Sequence, residues 1–444
     1  MHTPTTPATP IQLITSPFVR FARMEAAGGI TLLASALLAL IWANSPWQHS
    51  YHQLLETQVS VGFGKFVVTE NRHEWINDGL MSLFFFLVGL EIKRELLVGE
   101  LSSLRKAAFP FVAALGGAIF PALIYLAVTH GHNIRQGWAI PIATDIAFAL
   151  GVLAFFGSRV PIALKVFVTA LAIVDDMFAV MVIAIFYTSQ LNYVSLLIGM
   201  ACIAACWGAN RLGIRGPLVY VVMGIGAWFA VLNSGVHATI AGILLAFTIP
   251  SQTLLDRSVF VQTGRSLLDH LEASQPNSAD EHSILNTLEE NVELVESPLQ
   301  RIEHVLQPWV SFLIMPLFAF ANAGVNVSEN LGTALRHPLS IGVALGLILG
   351  KPLGVCVFGQ LAIRAKLALP LENVSSRQML GAACLCGIGF TMSLFVATLA
   401  FQEETLLEFS KIAILFASLI SGLCGGLLIA TSRRQVAREV TATV

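Results

Sequence analysis

Charge is what this sequence has least of. Asp, Glu, Lys and Arg make up 12% of its 444 residues, against about 25% in soluble domains. That scarcity, with 55% hydrophobic residues, excludes an ordinary soluble enzyme and a disordered chain. There is no basic surplus either: the formal net charge is −2, so nucleic acid is not an expected partner. Cysteine is sparse, six in all, and no pair has the Cys-x-x-Cys spacing of a zinc or redox site. All six sit in apolar stretches, where a thiol is a small packing group. The chain also lacks a Walker A loop, a Gly-x-Ser-x-Gly elbow and a His-Glu-x-x-His helix. An ATP-driven pump and the common hydrolases are thereby disfavoured, and no cofactor is called for. Residues 1–20, rich in Thr and Pro, carry no basic stretch followed by an apolar one and a small-residue cleavage site. They are expected to be a disordered cytoplasmic N-terminus rather than a cleaved signal.

What the chain has is apolar length. Mean hydropathy is +0.75, and a membrane-spanning helix needs about 20 apolar residues. Twelve runs qualify: 26–43, 77–94, 107–128, 138–156, 161–187, 193–210, 216–234, 236–250, 306–324, 338–363, 377–401 and 408–431. They are too long for barrel strands and lack strict alternation, so an all-α polytopic protein of about 12 transmembrane helices is expected. Lys and Arg then sort by loop: 18 of 25 fall on the side of the termini, and only Lys65, Arg72, Arg135 and Arg336 on the other. Three more, Lys165, Lys351 and Lys411, lie within runs. The positive-inside rule therefore puts both termini in the cytoplasm.

The expected organisation has the tail 1–20, spans one to eight within 21–250, an acidic cytoplasmic insertion at 251–297, spans nine to twelve within 298–432, and a C-terminal tail 433–444. Alternation over Val59–Phe63 and Phe66–Val68 about Gly64 predicts an external hairpin at about 57–69. The 251–305 loop carries ten acids against three arginines and reads as largely solvated. Ile284, Leu288, Val292 and Val295 at helical spacing mark a partial amphipathic helix. Ser297-Pro298 reads as an N-cap and first-turn proline of a helix running into span nine.

The informative residues are the ionisable ones inside spans: Asp145, the adjacent Asp175 and Asp176, and Lys351. Each costs at least about 2.5–3.5 kcal/mol at a helix centre, a penalty that usually marks a function. A buried ion pair that only fixes packing is the bland alternative, but three acids against one base leave charge over. Adjacent aspartates point about 100° apart on a helix, and their repulsion makes them titrate as a coupled unit. Carboxylate and hydroxyl oxygens suit a hard cation, and a site that holds either protons or Na⁺ is an exchanger by mass action. Pro141 before Asp145, and Gly387 and Gly389 in span eleven, suggest two interrupted spans. They are second in the triples 3-4-5 and 10-11-12, the arrangement that marks transporter sites.

The stretches Ala143-Thr144-Asp145, Ala172-Ile-Val-Asp175-Asp176, Gly350-Lys351-Pro352 and Cys386-Gly-Ile-Gly-Phe-Thr-Met-Ser393 resemble the NhaA family of bacterial Na⁺/H⁺ antiporters. So do Trp75-Ile-Asn-Asp78, Val88-Gly-Leu-Glu91-Ile-Lys-Arg94-Glu95, Ser234-Gly-Val-His237 and Leu317-Phe-Ala-Phe-Ala-Asn322. The resemblance runs from about residue 20 to 432; the acidic stretch 251–297 is not covered. It implies an NhaA-type fold with inverted repeats, and an electrogenic, pH-regulated Na⁺ (or Li⁺)/H⁺ antiporter of the bacterial inner membrane. It further implies cation and proton binding at Asp175 and Asp176, and pairing of Lys351 with Asp175. Thr144, Asp145 and Lys351 would compensate charge at a helix crossing, and Asp78 would sit at the periplasmic end. Glu91, Arg94, Glu95, Glu303 and His304, with His237, would set the pH response. Gln307 stands where some relatives carry a second histidine. The hairpin would hold a homodimer.

Two other readings remain at this level. A proton-coupled transporter of another substrate would use the same buried charges. An intramembrane aspartyl protease needs two aspartates facing each other across about 3 Å; Asp175 and Asp176 cannot, Asp145 and Asp176 could, and Lys351 would be unexplained.

Overall fold

The computed structural model describes residues 27–63, 66–188, 191–253, 255–273 and 279–432. The segments 1–20 and 433–444 and the Gly64-Lys65 turn lie outside the described residues. The chain forms α1 (Ala27–Ala43) and α2 (Gln48–Glu56), then strands β1 (Gln58–Phe63) and β2 (Phe66–Asn71). Helix α3 (Arg72–Leu97) follows, then α4 (Leu104–Val128), a 3₁₀ helix (Arg135–Ile142) and α5 (Ile146–Phe155). Next come α6 (Ile162–Phe186), α7 (Tyr193–Arg211), α8 (Pro217–Leu232), α9 (Thr239–Thr248), α10 (Arg257–Ala273) and α11 (Ala279–Val295). Then follow α12 (Pro298–Ala323), α13 (Val327–Arg336) and α14 (Pro338–Arg364). The chain closes with α15 (Ser376–Leu385), α16 (Phe390–Ala400) and α17 (Glu404–Ala430).

Among the described residues eight helices are long and apolar enough to cross a membrane, and up to ten spans result if the bent pairs α1–α2 and α15–α16 each count as one. Helices α8 and α9 are shorter and apolar. Each of the twelve apolar runs coincides with one of these elements. The boundary between runs seven and eight, poorly marked in sequence, is a turn in which Gly235 takes φ +82°, a left-handed backbone that glycine alone adopts freely.

The chain divides into two compact units, one of Met1–Met81, Glu100–Tyr187 and Ser311–Val444, the other of Ser82–Gly99 and Thr188–Val310. In the first unit, α4 and α14 meet through glycine. A Cβ on Gly354 would lie 2.5 Å from the Gly116 carbonyl carbon, and one on Gly350 would lie 2.8 Å from Pro121 Cα. Gly346, Gly350 and Gly354 thus make a small-residue stripe at fourfold spacing, which lets backbones approach where lipid gives helices no hydrophobic drive to associate. The second unit closes around Leu90, Cys206, Tyr220, Ala246, Ile249 and Leu299. There the last carbonyls of α9, left over by helix geometry, accept from side chains: Lys93 donates to Phe247 O at 2.8 Å and Asn210 to Thr248 O at 2.6 Å.

Three stretches have no counterpart in the sequence reading. Trp75–Leu80, Val310–Ile314 and Gly346–Gly350 are π-helical. The last two precede Pro316 and Pro352 by two residues. A proline inside an α-helix lacks one N–H and its ring clashes with the carbonyl four residues back; a wider π turn ahead of it relieves both. The insertion holds more regular structure than the one partial helix expected of it: α10 and α11 are two full helices. Ser297 caps α12 as its spacing predicts, accepting from Gln300 N.

The hairpin is an antiparallel pair over Gln58–Phe63 and Phe66–Asn71 with Val61 opposite Val68. Ser60 and Thr69 bond across it at 2.8 Å, and Trp75 Nε1 donates to Val59 O at 2.9 Å, tying it to α3.

Gly354→Ala should destabilise the protein by about 1–3 kcal/mol, the usual cost of overpacking. Gly264→Ala, where a Cβ meets nothing within 4 Å, should be neutral or stabilising by up to about 1 kcal/mol. Thermal unfolding in one detergent checks both; equal behaviour of the two variants would refute the glycine contact.

Candidate functional site

The site lies where two interrupted spans of the first unit meet. The 3₁₀ helix Arg135–Ile142 contains Pro141 in its last turn, and the backbone runs extended through Ala143 (φ −73°, ψ 148°) to Asp145 (φ −82°, ψ 99°) before α5 starts. Helices α15 and α16 are bent by 41° about residues 386–389. Four helix ends are thus placed inside the unit, each with orphan backbone groups that water does not reach.

Each end finds a partner. Asp145 N donates to Ile388 O at 2.7 Å, and Thr144 Oγ1 donates to Cys386 O at 2.9 Å, so span four closes the first half of span eleven. In return Ser393 Oγ donates to Ile140 O at 2.7 Å and Lys351 Nζ to Ile142 O. The two N-terminal ends share one carboxylate. Asp145 Oδ1 accepts from Phe148 N at 3.0 Å, and its Oδ2 accepts from Thr391 N at 3.1 Å and Thr391 Oγ1 at 2.5 Å. Ser418 Oγ, from α17, accepts the remaining Phe390 N–H at 3.1 Å. A carboxylate between two helix N-termini and an ammonium at a C-terminal end both match the helix dipoles.

Asp175 and Asp176 sit in the middle of α6, 0% and 2% exposed. Asp175 Oδ2 accepts from Lys351 Nζ at 2.7 Å and from Thr144 Oγ1 at 2.7 Å. Its other oxygen, Oδ1, is buried with no hydrogen-bond partner among the described residues. Lys351, 0% exposed, is the first residue after the Gly346–Gly350 π turn. The structure thereby brings Thr144, Asp145, Asp175, Asp176 and Lys351 into one neighbourhood. The protease reading loses its arrangement here, because Asp145 is committed to the helix ends and Asp175 to Lys351. Among the described residues no three His, Cys, Asp or Glu converge as they would around a resident metal ion.

The sequence profile described as "Na+/H+ antiporter 1" matches residues 19–429. The chain belongs to this family. A Na(+)/H(+) antiporter NhaA of Koribacter versatilis is 57% identical over 95% of this chain and 93% of its own length. Proteins of the same name from Oleidesulfovibrio alaskensis and Rhodospirillum rubrum are 47% and 45% identical, covering 94% and 97% of this chain and 94% and 100% of their own.

The other residues singled out in sequence fall elsewhere in this antiporter-family fold. In the second unit, Arg94 bridges Glu95 at 3.2 Å and Glu303. Glu91 is within electrostatic reach of all three. Arg94, Glu296, Gln300, Glu303, His304 and Gln307 line a cavity of about 310 Å³. His237 is half-buried in the turn before α9, so the ten residues of α9, about 15 Å at 1.5 Å each, separate it from the end that meets Lys93. Asp78 lies in the first π stretch of α3, beside the hairpin.

Sequence reasoning missed Thr391, Ser393 and Ser418. The first two stand in a quoted motif, just past the Gly389 break, where hydroxyls are natural caps. Ser418 belongs to another span and carries no local signal.

Thr391→Val keeps the shape and removes one hydroxyl donor from a charged acceptor. The expected loss is about 1.5–3 kcal/mol, read as a lowered unfolding temperature. An unchanged temperature would show that Asp145 is held by the backbone donors alone.

Proposed function

We propose that the chain exchanges Na⁺ or Li⁺ for protons across the bacterial inner membrane. The hairpin would lie outside and both termini in the cytoplasm, as the loop charges suggest. The observation that carries this reading is Asp175: one oxygen held by Lys351 and Thr144, the other buried and unsatisfied. An unfilled carboxylate oxygen inside a membrane protein is an acceptor for a proton or a hard cation. Asp176, next along α6, supplies the second carboxylate.

The exchange follows from charge. With all groups ionised, Asp145, Asp175 and Asp176 exceed Lys351 by two negative charges. Na⁺ entering between Asp175 and Asp176 displaces their protons and competes with Lys351 for Asp175. Lys351 also holds Ile142 O at the end of the broken span, so loosening that pair is felt by both interrupted spans. Two protons against one Na⁺ moves net charge each cycle, worth about 2.3 kcal/mol per 100 mV. In this reading the Arg94–Glu95–Glu303 network with Glu91 and His304 lies at the cytoplasmic mouth and sets the pH response, with His237 a separate modulator. Asp78 lies at the periplasmic end. No cofactor is needed; the partners are small cations, the lipid bilayer and a second copy of the chain.

In proteoliposomes carrying a pH gradient, Na⁺ or Li⁺ should collapse the gradient with wild type, and Asp176→Asn should abolish that response. Collapse by the variant would overturn the paired-carboxylate site; collapse by choline with wild type would overturn the cation selectivity.

The hairpin is proposed to hold a homodimer, because a two-stranded ribbon is marginal alone and Val61 is 56% exposed on it. Removing residues 59–68 should leave monomers in detergent that still exchange. A dimer that survives the removal rejects the assignment.

A further inference from the structure

His73, Asn77 and Asn322 close a ring of three hydrogen bonds at the hairpin end of α3. His73 and Asn77 are one helical turn apart; Asn322, 0% exposed, comes from the far end of α12. Asn322 Nδ2 donates to Asn77 Oδ1 at 2.8 Å and also to Phe318 O at 3.0 Å. That second bond fixes its amide, so its Oδ1 faces His73 Nε2 at 3.1 Å. Asn77 has its oxygen engaged, so its Nδ2 faces the imidazole, 3.3 Å from Nδ1 and 3.4 Å from Nε2; with the Nε2 hydrogen given to Asn322, Nδ1 is the nitrogen left to accept.

The ring therefore closes in one sense only. Nε2 must carry the hydrogen and Nδ1 must be bare, which is a neutral imidazole of one tautomer. An imidazolium has N–H on both nitrogens. To satisfy both, Asn77 would have to turn its oxygen to Nδ1 while Asn322 kept its own on Nε2, and the two NH₂ groups would then face each other. No arrangement of the two amides keeps three bonds with a charged His73.

We propose that His73 is a positioning residue that holds the first turns of α3 against α12 only while it is neutral. The span segment so held is the π stretch that carries Asn77 and Asp78, so acid on the hairpin side releases that end of the route. The effect on transport rests on the exchanger reading; the ring itself does not. The charged groups facing His73 are Glu74 on its own helix and Lys411 from α17. Glu74 Oε2 accepts from Asn71 N at 3.1 Å and also meets Glu70 of β2. That carboxyl–carboxyl hydrogen bond pushes Glu70, outside the span, up to about 7. Its sense is opposite: the Glu70–Glu74 bond is kept below that pH and lost above it, whereas the His73 ring is kept in alkali and lost in acid.

The test compares the wild-type full chain with His73→Gln, which offers a donor and an acceptor but does not titrate, and with Glu70→Gln. From about pH 8 down through and below the range in which a free histidine charges, since a site that admits only the neutral ring lowers the pH at which it charges, the unfolding temperature of wild type in detergent should fall more than that of His73→Gln. Glu70→Gln should follow wild type. In proteoliposomes with the pH varied on the hairpin side, His73→Gln should keep about fivefold more of its alkaline rate at the acid end, the factor carried by one hydrogen bond. Equal acid losses in wild type and His73→Gln, in both readouts, overturn the proposal. A difference in unfolding temperature with no exchange by either protein supports the ring and counts against the exchanger reading. Should His73→Gln fail to fold, exchange of the His73 ring C–H, followed by mass spectrometry in wild type, gives its titration directly. Its midpoint should lie below that of a free histidine, at the acid end of the interval over which stability falls, and a midpoint at or above the free value overturns the proposal.

Discussion

Backbone groups in a bilayer have no water to turn to, and an interrupted helix exposes them in the worst place. Everything distinctive in the first unit answers that constraint. The breaks at 143–145 and 386–389 leave carbonyls and N–H groups in the interior. Asp145, Thr144, Lys351, Ser393 and Ser418 satisfy those named above. The arrangement is reciprocal: span four supplies the donors for span eleven, and span eleven returns Ser393 to span four. Neither break is satisfied by its own span alone, so the two are fixed as a pair.

The same groups that solve the backbone problem also meet the buried carboxylate of the proposed exchange site. Lys351 serves a carbonyl and a carboxylate at once, and Thr144 serves Cys386 O and Asp175. Lys351 and Thr144 thus link the Asp175 carboxylate to carbonyls at the helix ends. A buried ion pair contributes little net stability, since desolvation offsets its attraction, yet losing one partner is costly. That asymmetry suits a site whose partners are exchanged in turn rather than removed.

Close approach is the second requirement. Lys351 reaches the crossing because α14 lies directly against α4 along Gly346, Gly350 and Gly354. The π turn immediately before it accommodates Pro352. Polar residues away from the crossing are organised separately, around Arg94 in one unit and around Asn322 in the other.

Much of this was legible in the residues themselves. Hydropathy gave the runs, because lipid demands apolar length. Buried Asp145, Asp175, Asp176 and Lys351 announced themselves by their cost. The hairpin showed through alternation, and Ser297-Pro298 through cap chemistry, since both depend on neighbours in sequence. The tertiary structure decided what depends on neighbours in space. Which oxygen of Asp175 meets Lys351, which hydroxyls cap the broken ends, and how Asn322 meets His73 across some 250 residues are set by packing. The π turns fall between the two classes: Pro316 and Pro352 stand just after two of them, yet a proline alone does not say that the turn before it widens rather than kinks. The two helices of the 251–297 segment were half-visible, because their apolar spacing is weak and heavy charge masked it.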